Sequence, residues 1–235
     1  MRIAKEIRRS GVKSLIIVHG GGSFGHPFAK EYEIMSGYKN SHQLIGFSKT
    51  HQSMLSLNRL VVDAIIQENV PAIAIQPSAF ILTQKGRILN FDNSLILKML
   101  NLNIIPVLYG DVALDSEQGF SILSGDQLVA TLAVSFKSNR IIMCVDVDGL
   151  FTDDPKINPD AKLIDKISFN ELKAFIEKIG RALTVDVTGG MSGKIVELIP
   201  ALECGVKVEL VNAKKANRLY KALLNQKVIE TKIES

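Results

Sequence analysis

A dense run of glycines between two histidines is the part of this sequence best suited to chemistry. It reads His19-Gly-Gly-Gly-Ser-Phe-Gly-His26 and follows an apolar stretch, residues 14–18, that is typical of a buried strand. Glycines after a strand allow backbone N–H groups to converge on an anion, because no Cβ atom blocks the approach. His26 adds a titratable donor at the end of the run. The pattern predicts a binding site for phosphate groups.

The same run also fits a dinucleotide-binding fingerprint, with glycines at positions 20, 22 and 25. That fingerprint needs a helix directly after the strand and an acidic residue about 20 positions further on. Pro27 argues against such a helix, and Glu31 and Glu33 come too early. The spacing therefore does not favour a dinucleotide.

Two hydrolase motifs overlap the run as well. Ser23 between two glycines fits a nucleophile elbow, and the three glycines after His19 fit an esterase oxyanion loop. A hydrolase of this class needs an aspartate and then a histidine downstream of the serine. His51 is the last histidine and Asp63 is the first aspartate after Ser23, so this order is not available. A tight turn that binds no ligand also fits the run.

Two acidic segments lie where α/β proteins often bind ligands. Asp146 and Asp148 lie at the end of a predicted strand, a position that suits binding of a ribose hydroxyl or a metal ion. The alternative interpretation is a simple loop that turns at Gly149 and Pro155 and binds nothing. Asp126 stands in the first turn of a predicted helix, where an acidic residue is typical of ordinary capping.

In residues 187–194, glycines precede a predicted helix that carries Lys194 near its start. This arrangement suits a nucleotide phosphate. The segment is not a Walker A motif, because Thr188 stands where the first glycine is required and Ile195 replaces Ser or Thr. A flexible loop before an amphipathic helix is the other interpretation.

Strands and helices alternate around these segments. Periodicity and turn signals predict strands at 14–18, 72–76, 104–109, 140–146, 206–211 and 228–233, hairpins at 81–89 and around 115–119, and helices at 41–69, 93–101, 124–136, 168–178, 191–203 and 214–226. Repeated crossovers predict an α/β fold with a mostly parallel central sheet and helices on both faces. We expect one domain over residues 1–235, with residues 152–161 as the weakest candidate boundary.

The composition is that expected of a soluble, cytoplasmic enzyme acting on small anions. The chain of 235 residues has a net charge of +4, and 46% of it is hydrophobic. No apolar run approaches the roughly 18 residues of a membrane span, and no basic block with interleaved aromatic residues indicates nucleic-acid binding. Cys144 and Cys204 make no disulfide framework, and both are predicted to be core residues.

In order along the chain, four of these segments resemble the amino acid kinase superfamily, and most closely its archaeal-type isopentenyl phosphate kinases. The matching segments are residues 20–27, 124–126, 146–149 and 188–194. The terminal His26 is the most specific part, because relatives that act on carboxylates or a nucleotide monophosphate lack it. Fosfomycin kinases share this histidine and remain an alternative.

The resemblance implies an αβα sandwich and the ATP-dependent phosphorylation of isopentenyl phosphate to the diphosphate, in the alternative mevalonate route to isoprenoids. It implies Mg²⁺ with the ATP and a homodimer, since family members generally are dimers. It also implies that the N-terminal part of the chain binds the phosphate acceptor and that the part from about residue 140 binds the nucleotide.

The resemblance assigns four residues to the acceptor side. Gly21 would offer its N–H to the acceptor's phosphate, and His26 would bind that phosphate with Gly125 nearby. Asp126 would orient a catalytic lysine, so His26 and Asp126 are the predicted catalytic residues.

Four other residues are assigned to the nucleotide. Gly22 would offer its N–H to the ATP phosphates, and Asp146 would lie on the nucleotide side. Gly190 and Lys194 would lie at the ATP phosphates.

The resemblance has a gap at the N-terminus. The family begins with a strand and a Lys-x-Gly-Gly-Ser turn followed by a second lysine, and both lysines serve the transferring phosphoryl group; residues 1–18 contain no match. We expect a start codon assigned too far downstream. The alternative is a degraded homologue that binds nucleotide or phosphate without catalysis. An in-frame strand with this turn in the DNA upstream of Met1 would favour the kinase.

We predict that the chain beginning at Met1 is nearly inactive and that an upstream extension carrying the strand and its lysines restores activity. Losing one preorganised charge at a transferring phosphoryl group costs on the order of 100- to 1,000-fold in rate. An ATP-coupled assay compares the two chains. Equal turnover would contradict the prediction.

Overall fold

A computed structural model of the chain describes residues 1–153, 155, 158–182 and 189–234. Within these residues helices and strands alternate as predicted. The helices are α1 (Arg2–Ser10), α2 (Gly22–Glu31), α3 (His42–Ile66), α4 (Ser94–Asn101), α5 (Gly125–Ser135), α6 (Phe169–Ala182), α7 (Gly189–Glu203) and α8 (Arg218–Leu223). The strands are β1 (Ile17–His19), β2 (Ala72–Ala74), β3 (Leu82–Gln84), β4 (Arg87–Asn90), β5 (Ile105–Tyr109), β6 (Asp111–Asp115), β7 (Gly119–Leu123), β8 (Arg140–Val145), β9 (Leu150–Phe151), β10 (Leu163–Ile164), β11 (Lys166–Ser168), β12 (Lys207–Asn212) and β13 (Glu230–Glu234).

The chain divides into two compact units. The first contains Met1 and residues 3–129, and the second contains Arg2 and the residues from Ala130 onward. Helix α5 begins in the first unit and ends in the second. The single domain over residues 1–235, with a nucleotide part from about residue 140, stays a prediction.

A parallel sheet in the order β1-β5-β2 positions the glycine run of the first unit. All five residues of β5 are buried, as expected of a central strand covered on both faces. Its register places His19 opposite Tyr109. The chain segments that leave β1 and β5 therefore start side by side at the carboxyl ends of the strands.

Helix α2 begins at Gly22, inside the glycine run, and Pro27 lies within it. The expectation that Pro27 argues against a helix here was wrong. Proline removes the hydrogen bond that would go to Ser23, but its φ is compatible with a helix. Packing on α3 offsets the loss: a Cβ atom on Gly25 would stand 2.8 Å from the sulfur of Met54, so glycine permits the close approach of the two helices.

A second sheet of the first unit, in the order β4-β3-β6-β7, contains both predicted hairpins. Asp115 joins them, because its carboxylate accepts N–H bonds from Gly86 at 2.8 Å and from Glu117 and Gln118 at 3.0 Å each. Burial alone would raise the pKa of Asp115, but these hydrogen bonds hold it well below its usual range.

The second unit is built on a sheet in the order β11-β13-β12-β8, in which β12 pairs in parallel with β8 and antiparallel with β13. Five of the six residues of β12 are buried, which makes this strand its centre. At its edge Arg140 forms an ion pair with Glu209 at 3.2 Å and donates to the carbonyls of Ala222 and Leu223, which fixes the end of α8.

Three sequence predictions for this unit need correction. Cys144 and Cys204 are both exposed and are not core residues. Helix α8 starts four residues later than predicted from Lys214, because Asn217 has a φ of 62° and interrupts a right-handed helix. The short strands β9, β10 and β11 were not predicted, because they carry too few residues for a periodic signal.

In the described part of the chain, no helix combines the length and apolar character needed to cross a bilayer.

We predict that Asp115→Asn lowers the free energy of unfolding at pH 7 by about 1–3 kcal/mol, because three backbone N–H groups lose a charged acceptor and keep at best a neutral one. A carboxyl whose pKa is lower in the folded state contributes fully above its unfolded value of about 3.9. The difference between the two proteins should therefore shrink as the pH falls below about 4.

Urea denaturation between pH 7 and pH 3 measures this difference. Asp160→Asn is the control, since Asp160 is exposed and its replacement should change the unfolding free energy by less than about 0.5 kcal/mol. A constant difference across this pH range would contradict the assignment.

Candidate active site

Three backbone segments of the first unit meet at glycines. A Cβ atom on Gly110 would stand 2.9 Å from the backbone nitrogen of Gly125, and one on Gly125 would stand 3.2 Å from the carbonyl oxygen of His19. The N–H of Gly110 donates to the same His19 carbonyl at 2.9 Å. The ends of β1 and β5 and the start of α5 therefore touch through their main chains.

Two helix N-termini open at this junction, since α2 begins at Gly22 and α5 at Gly125. The first N–H groups of a helix have no acceptor within it, and the helix dipole adds partial positive charge there. Two such ends so close to Gly20 make a strong site for anionic groups.

The four glycines of the run have different surroundings. Gly21 and Gly25 face Met54, at 3.2 and 2.8 Å from their Cβ positions. Among the described residues, nothing comes within 4 Å of a Cβ placed on Gly20 or Gly22. Gly22 also has a φ of 47°, which disfavours other residues. Two glycines thus permit helix packing, and two leave room beside the backbone.

His26 lies just beyond the first turn of α2 and is exposed. Its Cδ2 atom is 3.6 Å from the Cβ position of Gly21, so the imidazole stands beside the run as the sequence predicted. Asp126 is half-buried in the first turn of α5, and its N–H donates to the Ser124 hydroxyl at 3.1 Å. The predicted capping by this segment is present. The first unit therefore brings Gly125 against Gly20, and Gly21 and Gly22 follow as the next two residues of the run.

No pattern in the sequence indicated the role of Gln127. This buried side chain accepts from the N–H of Ile88 at 2.9 Å and donates to the carbonyl of Gly86 at 3.1 Å. A carboxylate could accept but not donate here. Gln127 thus ties the start of α5 to the β3–β4 hairpin.

Sequence reasoning also missed a buried carboxylate near the end of β5. Asp111 accepts hydrogen bonds from His51 at 2.8 Å and from Ser78 at 2.9 Å. Burial raises the pKa of Asp111, and the neighbouring His51 partly offsets the effect. The other histidine of α3, His42, packs on an aromatic ring instead: its ring lies 4.9 Å from that of Tyr32.

In the second unit, the two acids after β8 have different partners. Asp148 accepts from Arg218 and from the amide of Asn212, both at 2.7 Å, and these bonds lower its pKa. Asp146 pairs with Lys214 at 3.3 Å, and its side chain is mostly exposed. Asp148 therefore anchors the loop, and Asp146 stands on its accessible side.

Gly149 closes this loop with a φ of 146°, and a Cβ atom there would collide with Thr231. Arg218, which anchors Asp148, also lines a hollow of about 310 Å³ together with Lys221, Lys227 and two apolar residues of the following turn. The acidic loop therefore borders a positively charged depression.

The remaining candidates of the nucleotide side belong to α7. Gly190 lies in the first turn of this helix, and Lys194 is half-buried further along it. Val187 and Thr188 lie outside the described residues. No three His, Cys, Asp or Glu side chains in the described part of the chain are grouped as they would be around a metal ion.

Comparison with known proteins identifies the family of this fold. The family model for the amino acid kinase family matches residues 1–212, and the chain belongs to this family. An isopentenyl phosphate kinase of Methanothermobacter thermautotrophicus is 45% identical over 239 residues, which cover 99% of this chain and 88% of the relative. One from Methanocaldococcus jannaschii is 39% identical over 90% of this chain and 78% of its own length.

Solved structures agree with these relatives. An X-ray structure of isopentenyl phosphate kinase superposes with a TM-score of 0.85 at 42% identity, covering 99% of this chain and 88% of that one. A UMP kinase from Ureaplasma parvum has a TM-score of 0.67 at 19% identity, covering 100% and 88%, which shows the shared fold alone. The predicted fold class and the predicted resemblance to isopentenyl phosphate kinases are confirmed. The roles of the eight site residues stay predictions.

Proposed function

We propose that this protein is a phosphotransferase that moves the terminal phosphoryl group of ATP to isopentenyl phosphate and forms isopentenyl diphosphate. The junction of two helix N-termini beside a glycine run that ends in His26 carries the proposal, because it offers several N–H donors and an imidazole to one phosphate. The named relatives favour this acceptor over fosfomycin and over binding without catalysis.

The acceptor's phosphate is proposed to bind to the first unit. Gly21 and the start of α5 at Gly125 would donate backbone N–H groups, and His26 would add a side-chain donor. Because the His26 side chain is exposed, a ligand can reach it from solvent. Binding through donors alone suits a dianion, because donors offset the repulsion that a second incoming phosphate creates.

ATP is proposed to bind through three residues of the second unit, and the role of Gly22 at the ATP phosphates stays a prediction. Gly190 in the first turn of α7 and Lys194 suit its phosphates, and Asp146 is the accessible acid for the nucleoside end. Mg²⁺ is proposed to arrive on the ATP phosphates, since in kinases it keeps several waters and binds largely through substrate oxygens.

Phosphoryl transfer needs alignment and charge neutralisation more than covalent chemistry. The rigid start of α5 supplies alignment, and Asp126 in its first turn is proposed to orient a catalytic lysine. The main contribution of these residues would be to hold the acceptor oxygen in line with the phosphorus.

We also propose a homodimer, and cytoplasmic location stays a prediction. Helix α3 carries four exposed large apolar side chains: Leu44, Ile45, Leu60 and Ile66. Such side chains suit contact with a second copy. Light scattering at micromolar concentration should give twice the mass of one chain, and a clean monomer would contradict the proposal.

His26→Ala in the active enzyme should lower kcat/KM for isopentenyl phosphate by about 10- to 100-fold, because a charge-assisted hydrogen bond contributes roughly 1.5–3 kcal/mol. The KM for ATP should barely change. Lys194→Ala should show the opposite bias and weaken ATP first. Steady-state kinetics with each substrate varied in turn measures both effects.

His42→Ala is the matched control, since His42 is an exposed histidine of α3 and should leave both constants near wild type. If His26→Ala weakened ATP and left the acceptor's KM intact, the assignment of the two substrate ends would be reversed. Faster turnover of fosfomycin than of isopentenyl phosphate by the wild-type enzyme would overturn the proposed acceptor.

A further inference from the structure

The side chain of His19, at the start of the glycine run, is held on three sides. Its Nδ1 lies 3.1 Å from the carbonyl oxygen of Gly20, and its Nε2 lies 3.1 Å from the amide oxygen of Asn58. Its ring stacks on that of Tyr109, with 5.6 Å between centroids and 18° between planes. Asn58 and Tyr109 are 2% and 0% exposed, so the imidazole rests on fixed groups.

The contact with Gly20 sets the direction of the next N–H group. The peptide unit between Gly20 and Gly21 is planar and trans, so its carbonyl and its N–H point to opposite sides. A carbonyl oxygen fixed on the imidazole therefore fixes the Gly21 N–H on the side away from His19. Glycine backbones are otherwise the least restricted in a chain, so this orientation needs an external hold.

We infer that His19 is a positioning residue that aims the Gly21 N–H at the acceptor's phosphate. The inference rests on the proposed function, which assigns that N–H to the phosphate. His19 itself touches no substrate in this account, and it acts through one peptide plane. Asn58 and Tyr109 serve as its support.

The chemistry of the contact fixes one proton. A carbonyl can only accept, so Nδ1 must carry hydrogen. If both ring nitrogens carry hydrogen, Nε2 donates to the Asn58 amide oxygen. If only Nδ1 does, the Asn58 amide is rotated by 180° and its nitrogen donates to Nε2. Both states keep the bond to Gly20.

Three replacements separate the contacts. His19→Asn places an amide nitrogen where Nδ1 stands and keeps the bond to Gly20. His19→Gln places an amide nitrogen where Nε2 stands, so it keeps the hydrogen bond to Asn58 and loses the one to Gly20. His19→Phe keeps only the stacking on Tyr109.

In the chain with the upstream extension, we expect His19→Gln and His19→Phe to lower kcat/KM for isopentenyl phosphate by about 10- to 100-fold, the cost of a small misplacement. His19→Asn should stay within about 3-fold of wild type, and the KM for ATP should stay within about 2-fold in all three. If His19 only supported the fold, His19→Asn would lose the most packing, and its kcat/KM would fall at least as far as that of the other two variants. Full activity of His19→Gln, or equal losses in His19→Gln and His19→Asn, would overturn the inference.

Two spectroscopic measurements keep the inference separate from the proposed function. With only 4 histidines in the chain, ¹⁵N-histidine spectra assigned by replacing each in turn should show His19 with a protonated Nδ1. A bare Nδ1 would overturn the inference whether or not any variant folds.

Inorganic phosphate added to ¹⁵N-glycine-labelled protein should shift the Gly21 amide signal in wild type and His19→Asn, and much less in His19→Gln. No shift of that signal in wild type would overturn the inference. If these shifts appear but the chain with the upstream extension does not phosphorylate isopentenyl phosphate, the proposed function fails and the positioning role stands.

Discussion

The direct contact of main chains at Gly20, Gly110 and Gly125 is the constraint on which the candidate site depends. Any side chain at Gly110 would enter the space of a backbone atom that cannot move aside without shifting α5. Because the strands β1 and β5 end here in register, the contact also fixes where α2 and α5 begin. The positive ends of two helices are thus brought together by the absence of side chains, and the proposed binding of anions there rests on geometry more than on any charged residue.

The two units differ in how their charged side chains are paired. In the first unit the candidate site consists of backbone donors and an imidazole, and the buried acid Asp111, next to Gly110 in the chain, is already bonded to His51 and Ser78. In the second unit the acids after β8 are matched by cations, with Asp148 held by Arg218. The Asp148 carboxylate is engaged by Arg218 and Asn212 and serves structure, and of these two acids Asp146 has the more exposed side chain.

Local patterns predicted most elements of the fold and the segments of the site. Buried strands such as β5 are short apolar runs, and α3 carries a long helical period. Contacts between distant parts of the chain were beyond such patterns. Helix α2 forms despite Pro27 because Met54, far along the chain, packs against its glycines. The His51–Asp111 pair joins residues 60 positions apart, and the exposure of Cys144 depends on which face of its strand is covered. Individual site roles came from resemblance, since a glycine or lysine looks the same whether it binds a ligand or not.

Gln127 has a consequence for how the start of α5 behaves over a catalytic cycle. Phosphate groups arriving and leaving would change the local charge by several units, and an ionisable side chain at this position would respond by taking up or losing a proton. A carboxamide has no proton to exchange in this range and bonds the hairpin equally in both directions. The brace between the β3–β4 hairpin and α5 therefore carries no charge and no titratable proton that a bound phosphate could shift.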